Sequence, residues 1–134
     1  GVETDNYNNL SQVLFYSAPG LRVMLTGEEE TEVEEDALAH CELPRADVFK
    51  AAHHGSSTSN TLSFLQAIRP RYVVVSCGKD NSYGHPHKQA LQNFAMVGAQ
   101  VLRTDENGSV VIAAAEDGLQ CYTASGSQQA DSAA

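Results

Sequence analysis

The stretch Asp47-Val-Phe-Lys-Ala-Ala-His-His-Gly-Ser56 decides how this chain is read. It starts as an apolar, β-prone run and ends in two adjacent histidines, a glycine and a serine. A buried strand that delivers imidazoles into a small-residue loop suits metal binding or phosphate handling. The next strand candidate, Tyr72-Val-Val-Val-Ser-Cys77, is continuously apolar and β-branched at its centre. Such a strand belongs inside a sheet covered on both faces. It is followed in the same way by a polar loop, Asn81-Ser-Tyr-Gly-His-Pro86.

Working outward, Gln12 to Ser17 and Arg22 to Leu25 read as a hairpin about Ala18-Pro-Gly20. Thr26-Gly27 ends it, and an acidic helix then runs to about Cys41. Its carboxylates crowd the first turns, where the helix dipole favours them, and the bland reading of the run is a solvated face. Val33, Ala37, Leu38 and Cys41 form a thin apolar stripe, and Leu43-Pro44 breaks the helix. Leu62, Leu65 and Ile68 mark a helix that stops before Pro70. Pro86 suits the first turn of another, closed by Gly98. Gln100 to Arg103 is a strand, Asp105-Glu-Asn-Gly108 a hairpin turn, Val110 to Ala114 its return, and Leu119 to Tyr122 the last strand. The expected architecture is α/β: a mixed sheet with flanking helices and a C-terminal β-meander, with polar loops at the strand ends. Residues 1–123 form one partial domain, and 124–134 read as a disordered tail.

The 134 residues, 42% apolar, support one small core. No apolar run approaches the ~18 residues of a membrane span, so no direct membrane contact by this chain is expected. A leading Gly1 is compatible with a cleavage scar on something longer. The net charge of −9 argues against a general nucleic-acid groove, which needs a basic stripe. Cys41, Cys77 and Cys121 are odd in number and widely spaced, which is neither a zinc-finger pattern nor a disulfide framework. Cys77 reads as a small core residue. There is no P-loop, no dinucleotide fingerprint and no G-x-S-x-G.

Three strand ends therefore carry the chemistry: Glu28, His53-His54, and Asn81 to His85. On one sheet edge they bring together a carboxylate and up to three imidazoles, a set that suits zinc, manganese or iron. Adjacent histidines on an extended segment face opposite ways, so one points into the site while the other orients it or meets substrate. The hydroxyls of Ser56, Ser57 and Thr58 are placed to contact phosphate oxygens. Structural alternatives stand beside each reading. The histidine loop can be hydrogen-bonded structure, Glu28 one more solvated acid, and Gly84-His85-Pro86 the start of a helix. His40 and His87 read as surface residues, and Tyr83 as packing.

The segments Asn8-Asn-Leu-Ser11, Val23-Met-Leu-Thr-Gly-Glu28, Ala46-Asp-Val-Phe-Lys50, His53-His-Gly-Ser56, Arg69-Pro70, Val75-Ser76, Asn81-Ser-Tyr-Gly-His-Pro86 and Arg103-Thr-Asp-Glu-Asn-Gly108 follow one another in a specific order. Together they resemble the metallo-β-lactamase-fold domain of ComEC-type DNA-uptake competence proteins, over residues 8 to about 115. The resemblance implies an αββα sandwich of two similar halves with a di-metal hydrolase site between them, of which this chain matches the second. The first half would carry an H-x-H-x-D-H loop that is not present in this sequence. The resemblance puts Glu28 where the family has a bridging aspartate, its carboxylate roughly 1.5 Å further out. It makes His54 a metal ligand, and sets His53 behind the metal or toward substrate. Asn81 and His85 become loop residues that bind phosphate.

The function implied is part of a zinc- or manganese-dependent phosphodiesterase or nuclease acting on DNA during uptake. His53 or His85 would stabilise charge on the phosphoryl oxygens. With two or three ligands the isolated chain should bind no metal pair and be inactive. It should need the missing N-terminal half of its domain, or a second copy, to cover its apolar face. The parent would be a bacterial membrane protein carrying this domain outside the cytoplasm. Two other readings are a metal-free scaffold that serves assembly, and a secreted metallo-hydrolase of a small phosphoester.

Overall fold

The structure, a computed structural model, describes residues 3–125 and 128–130. Strands β1 (Leu14–Ala18) and β2 (Leu21–Leu25) form the expected antiparallel hairpin. Helix α1 (Thr31–His40), strand β3 (Val48–Lys50), helix α2 (Leu62–Ile68), strand β4 (Tyr72–Val75), helix α3 (Lys88–Met96) and strand β5 (Gln100–Arg103) follow. The sheet order is β1-β2-β3-β4-β5, with β2 to β5 all parallel. Strands added always to the same side through right-handed crossovers put every connecting helix on one face.

Side-chain alternation then sorts the strands into two cores. Met24, Phe49, Val73 and Val75 face the helices and pack on Phe64, Leu65, Ile68, Ala90 and Phe94. Val48, Tyr72 and Leu102 face the other way. They meet Leu119 and Cys121 from a second, three-stranded antiparallel sheet of β6 (Val110–Ala115), β7 (Gly118–Thr123) and β8 (Gln128–Ala130). The layers are helices, mixed sheet and small sheet, within the α/β class expected. Of the stretch read as a tail, residues 126, 127 and 131–134 lie outside the described residues, and Gln128–Ala130 pairs with β7.

The expected hairpin at Asp105–Gly108 is corrected. Residues Thr104–Asn107 form one helical turn, α4, that carries the chain from the first sheet to the second, and β6 pairs with β7 rather than with β5. Arg103 dictates this. Its Nε and Nη2 grip Asp105 at 3.0 and 2.7 Å, which curls the backbone immediately after the strand. Pro86 also lies outside the helix it was expected to open, two residues ahead of α3. Cys77 lies beyond the end of β4, partly buried, while Cys121 is fully buried.

Strand β1 is an outer strand of the sheet, paired on one side only among the described residues. Both of its faces are exposed: Leu14 and Tyr16 on one side, at 55% and 57%, and Phe15 on the other at 40%. Unpaired backbone beside large apolar side chains is a template for another strand.

The fold predicts an acid-sensitive contact. The Arg103 guanidinium holds the Asp105 carboxyl below the ordinary 3.8. The pair's contribution is thus complete above pH 3.8 and lost as pH falls through the lower folded value. Asp105→Asn should cost about 1–2 kcal/mol near neutrality and lose part of the acid-induced drop in melting temperature. An unchanged drop would mean the grip contributes nothing.

Candidate functional site

The carboxyl ends of β2, β3 and β4 open onto one edge, so the loops after Leu25, Lys50 and Val75 meet there. The loop after β3 is not extended. His53 (φ 47°), His54 (φ 56°) and Gly55 (φ 82°) form a run of left-handed residues inside a tight turn. For a non-glycine residue this conformation costs roughly 1–2 kcal/mol, so the turn persists only where its surroundings over-determine it. Gly55 is required on a second ground: a Cβ there would lie 2.7 Å from Cβ of Pro86.

Asn60 over-determines the turn. Its Oδ1 accepts from the Ala52 amide at 3.0 Å, and its Nδ2 donates to the carbonyls of Ala52 and Ser56, each at 3.0 Å. The Asn60 carbonyl accepts from Asn93 Nδ2 at 2.9 Å. Glu34 then accepts the amides of Asn60 and Thr61 at 2.6 and 2.8 Å, one on each oxygen. The His53 amide donates to the Gly27 carbonyl, and the His87 amide to that of Gly55, both at 2.9 Å. Every element that borders the loop holds it.

The solvated-face reading of the acidic run holds for Glu28, Glu32 and Glu35, which are exposed, but is corrected at two positions. Glu34 and Glu29 are each only 1% exposed. Burial pushes both carboxyls up, against the opposing pull of backbone donors. Glu29 Oε2 accepts from the Gly27 amide at 2.8 Å, and Lys50 Nζ, pushed down by burial, donates to the Thr26 carbonyl at 3.1 Å. The spacing Glu34, Ala37, Leu38 was the available signal, since i, i+3 and i+4 share one helix face and both apolar members pack on the core.

Above this support lie two adjoining hollows of about 250 and 210 Å3. The first is lined by Glu28, His53, His54, Tyr83 and His85, and the second by His54, Cys77, Asn81, Tyr83 and His85 among others. His54 and His53 therefore share a hollow, because left-handed backbone does not splay neighbours as a strand would. The Ser76 carbonyl lies 2.7 Å from His54 Nδ1 and can only accept, so Nδ1 carries a proton. Nε2 is thereby aimed at Glu28 Oε1, 3.2 Å away. His53 Nδ1 faces Glu30 Oε1 at 3.6 Å and is a buried atom with no hydrogen-bond partner. The site thus holds two carboxylate–imidazole pairs, and Glu30 is a member that the sequence reading missed.

His85 stacks at 5.9 Å on His54 and at 5.6 Å on Tyr83. Burial, then the neighbouring His87, His53 and His54, hold its imidazole below its ordinary value. Tyr83 is 75% exposed at the rim rather than packed inside. Asn81 uses both ends of its amide to close the loop, accepting from the His85 amide at 2.9 Å and donating to the His85 carbonyl at 2.7 Å. Ser56 is buried, with its Oγ 2.9 Å from Thr58 Oγ1, and it is not among the residues lining either hollow. His87, read as a surface residue, is half-buried. It accepts from the Ser57 amide at 2.9 Å through Nδ1, and its Nε2 donates to the Tyr83 carbonyl at 3.0 Å, so it ties the two loops together. His40 is exposed beside Asp36, as expected. Among the described residues, no group of three His, Cys, Asp or Glu side chains stands so as to hold a metal.

Comparison with known proteins places this loop pair in context. The chain is 40% identical over 103 residues to ComE operon protein 3 of Bacillus subtilis, covering 77% of this chain and 13% of that protein. It is 32% identical over 114 residues to competence protein ComA of Neisseria gonorrhoeae, covering 84% and 16%. These homologues support a competence-protein family for the chain. A further relative, recombination protein 2 of Haemophilus influenzae, is 29% identical over 123 residues, covering 92% of this chain and 15% of that protein. The chain thus spans 13 to 16% of the curated relatives it matches. No protein-family model matches it.

For this competence-family chain, Glu34→Ala should cost about 2–4 kcal/mol, because it strands the buried amide of Asn60 and the part-buried amide of Thr61. Glu35→Ala, on the exposed face, should stay within about 0.5 kcal/mol. Urea denaturation of the two variants makes the comparison, and equal costs would remove Glu34 from the support of the histidine loop.

Proposed function

We propose that this chain is the second half of a metallo-β-lactamase-type hydrolase domain in a DNA-uptake competence protein, a bacterial membrane protein with this domain outside the cytoplasm. The observation that carries the reading is the Ser76–His54–Glu28 relay. A ring nitrogen fixed by a backbone carbonyl turns the other nitrogen toward a carboxylate, which is how ligating histidines are commonly oriented. Glu28 and His54 would hold zinc or manganese, and the buried, unpartnered His53 Nδ1 beside Glu30 supports a site built to receive something more. When bound, such a metal supplies Lewis-acid activation of water and of a phosphoryl oxygen. Two donors do not make a closed centre, so the remaining ligands would come from outside the described residues.

The chain's own part in hydrolysis would be positioning and charge. His85, held toward its neutral form, would donate a hydrogen bond from its N–H to a phosphoryl oxygen of a DNA phosphodiester. Asn81 fixes the backbone of that loop, and His53 is steadied by Glu30. The exposed apolar β1 supports an occupant at that edge, namely the preceding half of the domain or a second copy of the chain.

Metal content of the chain joined to its preceding segment tests the reading. Stoichiometric zinc or manganese, lost in His54→Ala, is expected. His85→Ala should retain the metal while slowing hydrolysis of a chromogenic phosphodiester about 100-fold. A joined domain that stays metal-free would favour the second reading, a scaffold for assembly, which the Glu28–His54 contact supports by already pairing the two groups with each other at 3.2 Å. Light scattering tests the edge. The joined domain should be monomeric, and the isolated chain should self-associate until Leu14→Lys and Tyr16→Lys are introduced. A strictly monomeric isolated chain would argue against an occupied β1.

A further inference from the structure

The opposite edge of the sheet carries a different chemistry. Where β3, β4 and β5 begin, a hollow of about 650 Å3 is lined by Arg45, Arg69, Pro70, Arg71, Val97 and Gln100 among others. Three of the chain's eight basic side chains converge there, on a protein of net charge −9. Among the described residues, no acidic residue lines it. The nearby Asp47 is engaged elsewhere: it accepts the Arg22 amide at 2.8 Å and pairs with the Arg22 guanidinium at 3.6 Å. Among the described residues, the Arg45 and Arg69 side chains have neither a hydrogen bond nor an ion pair.

Arg69 is also conformationally costly. It caps α2 in the left-handed region (φ 44°, ψ 62°), a position that glycine fills without strain. The C-terminal dipole of a helix as short as α2 would account for one cation, but not for three guanidiniums around one concavity. Strain retained at an unpaired charged side chain points to a ligand.

We propose that Arg45, Arg69 and Arg71 form a phosphate-binding hollow, taking either a nucleoside monophosphate or a backbone phosphate of a single DNA strand. Guanidinium forks match phosphoryl oxygens two at a time, and the two guanidiniums of Arg45 and Arg69, with Arg71 beside them, suit a dianion better than a lone carboxylate. The volume falls in the range of small-ligand sites. The site is separate from the histidine hollow, since the four residues of β4, roughly 13 Å of strand, lie between them. It does not depend on the hydrolase reading. The overall negative field disfavours long polyanions, so binding should be local and weaken steeply with salt.

The experiment is an amide-resolved NMR titration of the whole chain with inorganic phosphate, AMP and a short single-stranded oligonucleotide. Phosphate and AMP should shift the amides of Arg69, Arg71 and Gln100 at millimolar concentration or below, leaving those of His53 to Gly55 in place. Arg45→Glu and Arg69→Gly should each weaken binding at least about tenfold. Arg69→Gly relieves the left-handed strain, so its melting temperature should hold or rise, which separates lost binding from lost folding. Tighter binding of the oligonucleotide than of AMP, lost in the same variants, assigns the site to a DNA strand, and the reverse order assigns it to free nucleotide. No shift at this edge with any of the three probes, or shifts unchanged in both variants, overturns the proposal.

Discussion

The site depends on a contact that never reaches it, the grip of Glu34 on the amides of Asn60 and Thr61. Through Asn60 that grip fixes Ala52 and Ser56, and so the left-handed turn between them. A turn with two non-glycine residues at positive φ is several kcal/mol above what an unconstrained loop would adopt. Its constraint comes from α1, α2 and α3 at once, because Glu34, Thr61 and Asn93 belong to or cap those helices. A buried carboxylate is an expensive clamp, and Glu34 illustrates why it persists. Each oxygen meets a backbone donor, so the desolvation cost is offset by two charge-assisted bonds that no apolar residue could replace.

Topology supplies the rest. Because strands β2 to β5 are parallel and added in one direction, the helices cover one face and leave the other to the small sheet, as crossovers of one hand require. All three chemistry-bearing loops then fall at one edge, and the arginines at the edge where the same strands begin. Acid and imidazole at one end and guanidinium at the other follow from which residues flank each strand.

Much of this was legible in sequence, and for physical reasons. Tyr72 to Val75 alternates between two cores, as a continuous apolar run in a covered sheet must, and Gly55 and Pro86 marked loops that do approach closely. The convergence of Glu28, His53, His54 and His85 followed from strand ends alone. What failed were inferences from local composition. An acidic run reads as solvent-facing by average behaviour, yet Glu34 is buried where the distant Asn60 amide meets it, and Glu29 where the neighbouring Gly27 amide does. Asp105 to Gly108 has hairpin composition, but the Arg103 fork closes a helical turn instead. His87 looked superficial because its partner, Ser57, lies 30 residues away. Each miss concerns a specific polar partner, 26 residues away for Glu34 and 30 for His87 but only two for Glu29 and Asp105, which periodicity cannot register.

The Glu28–His54 pair joins the two functional readings. With Nδ1 committed to Ser76, a neutral His54 presents a lone pair to a carboxylate oxygen at 3.2 Å, and two acceptors at that distance repel. A hydrogen on one of the two atoms makes the contact a hydrogen bond closed on itself, which is what the scaffold reading uses. Under the proposed hydrolase function the same orientation of Nε2, fixed by the Ser76 carbonyl, would serve a metal instead, with the further ligands supplied from outside the described residues.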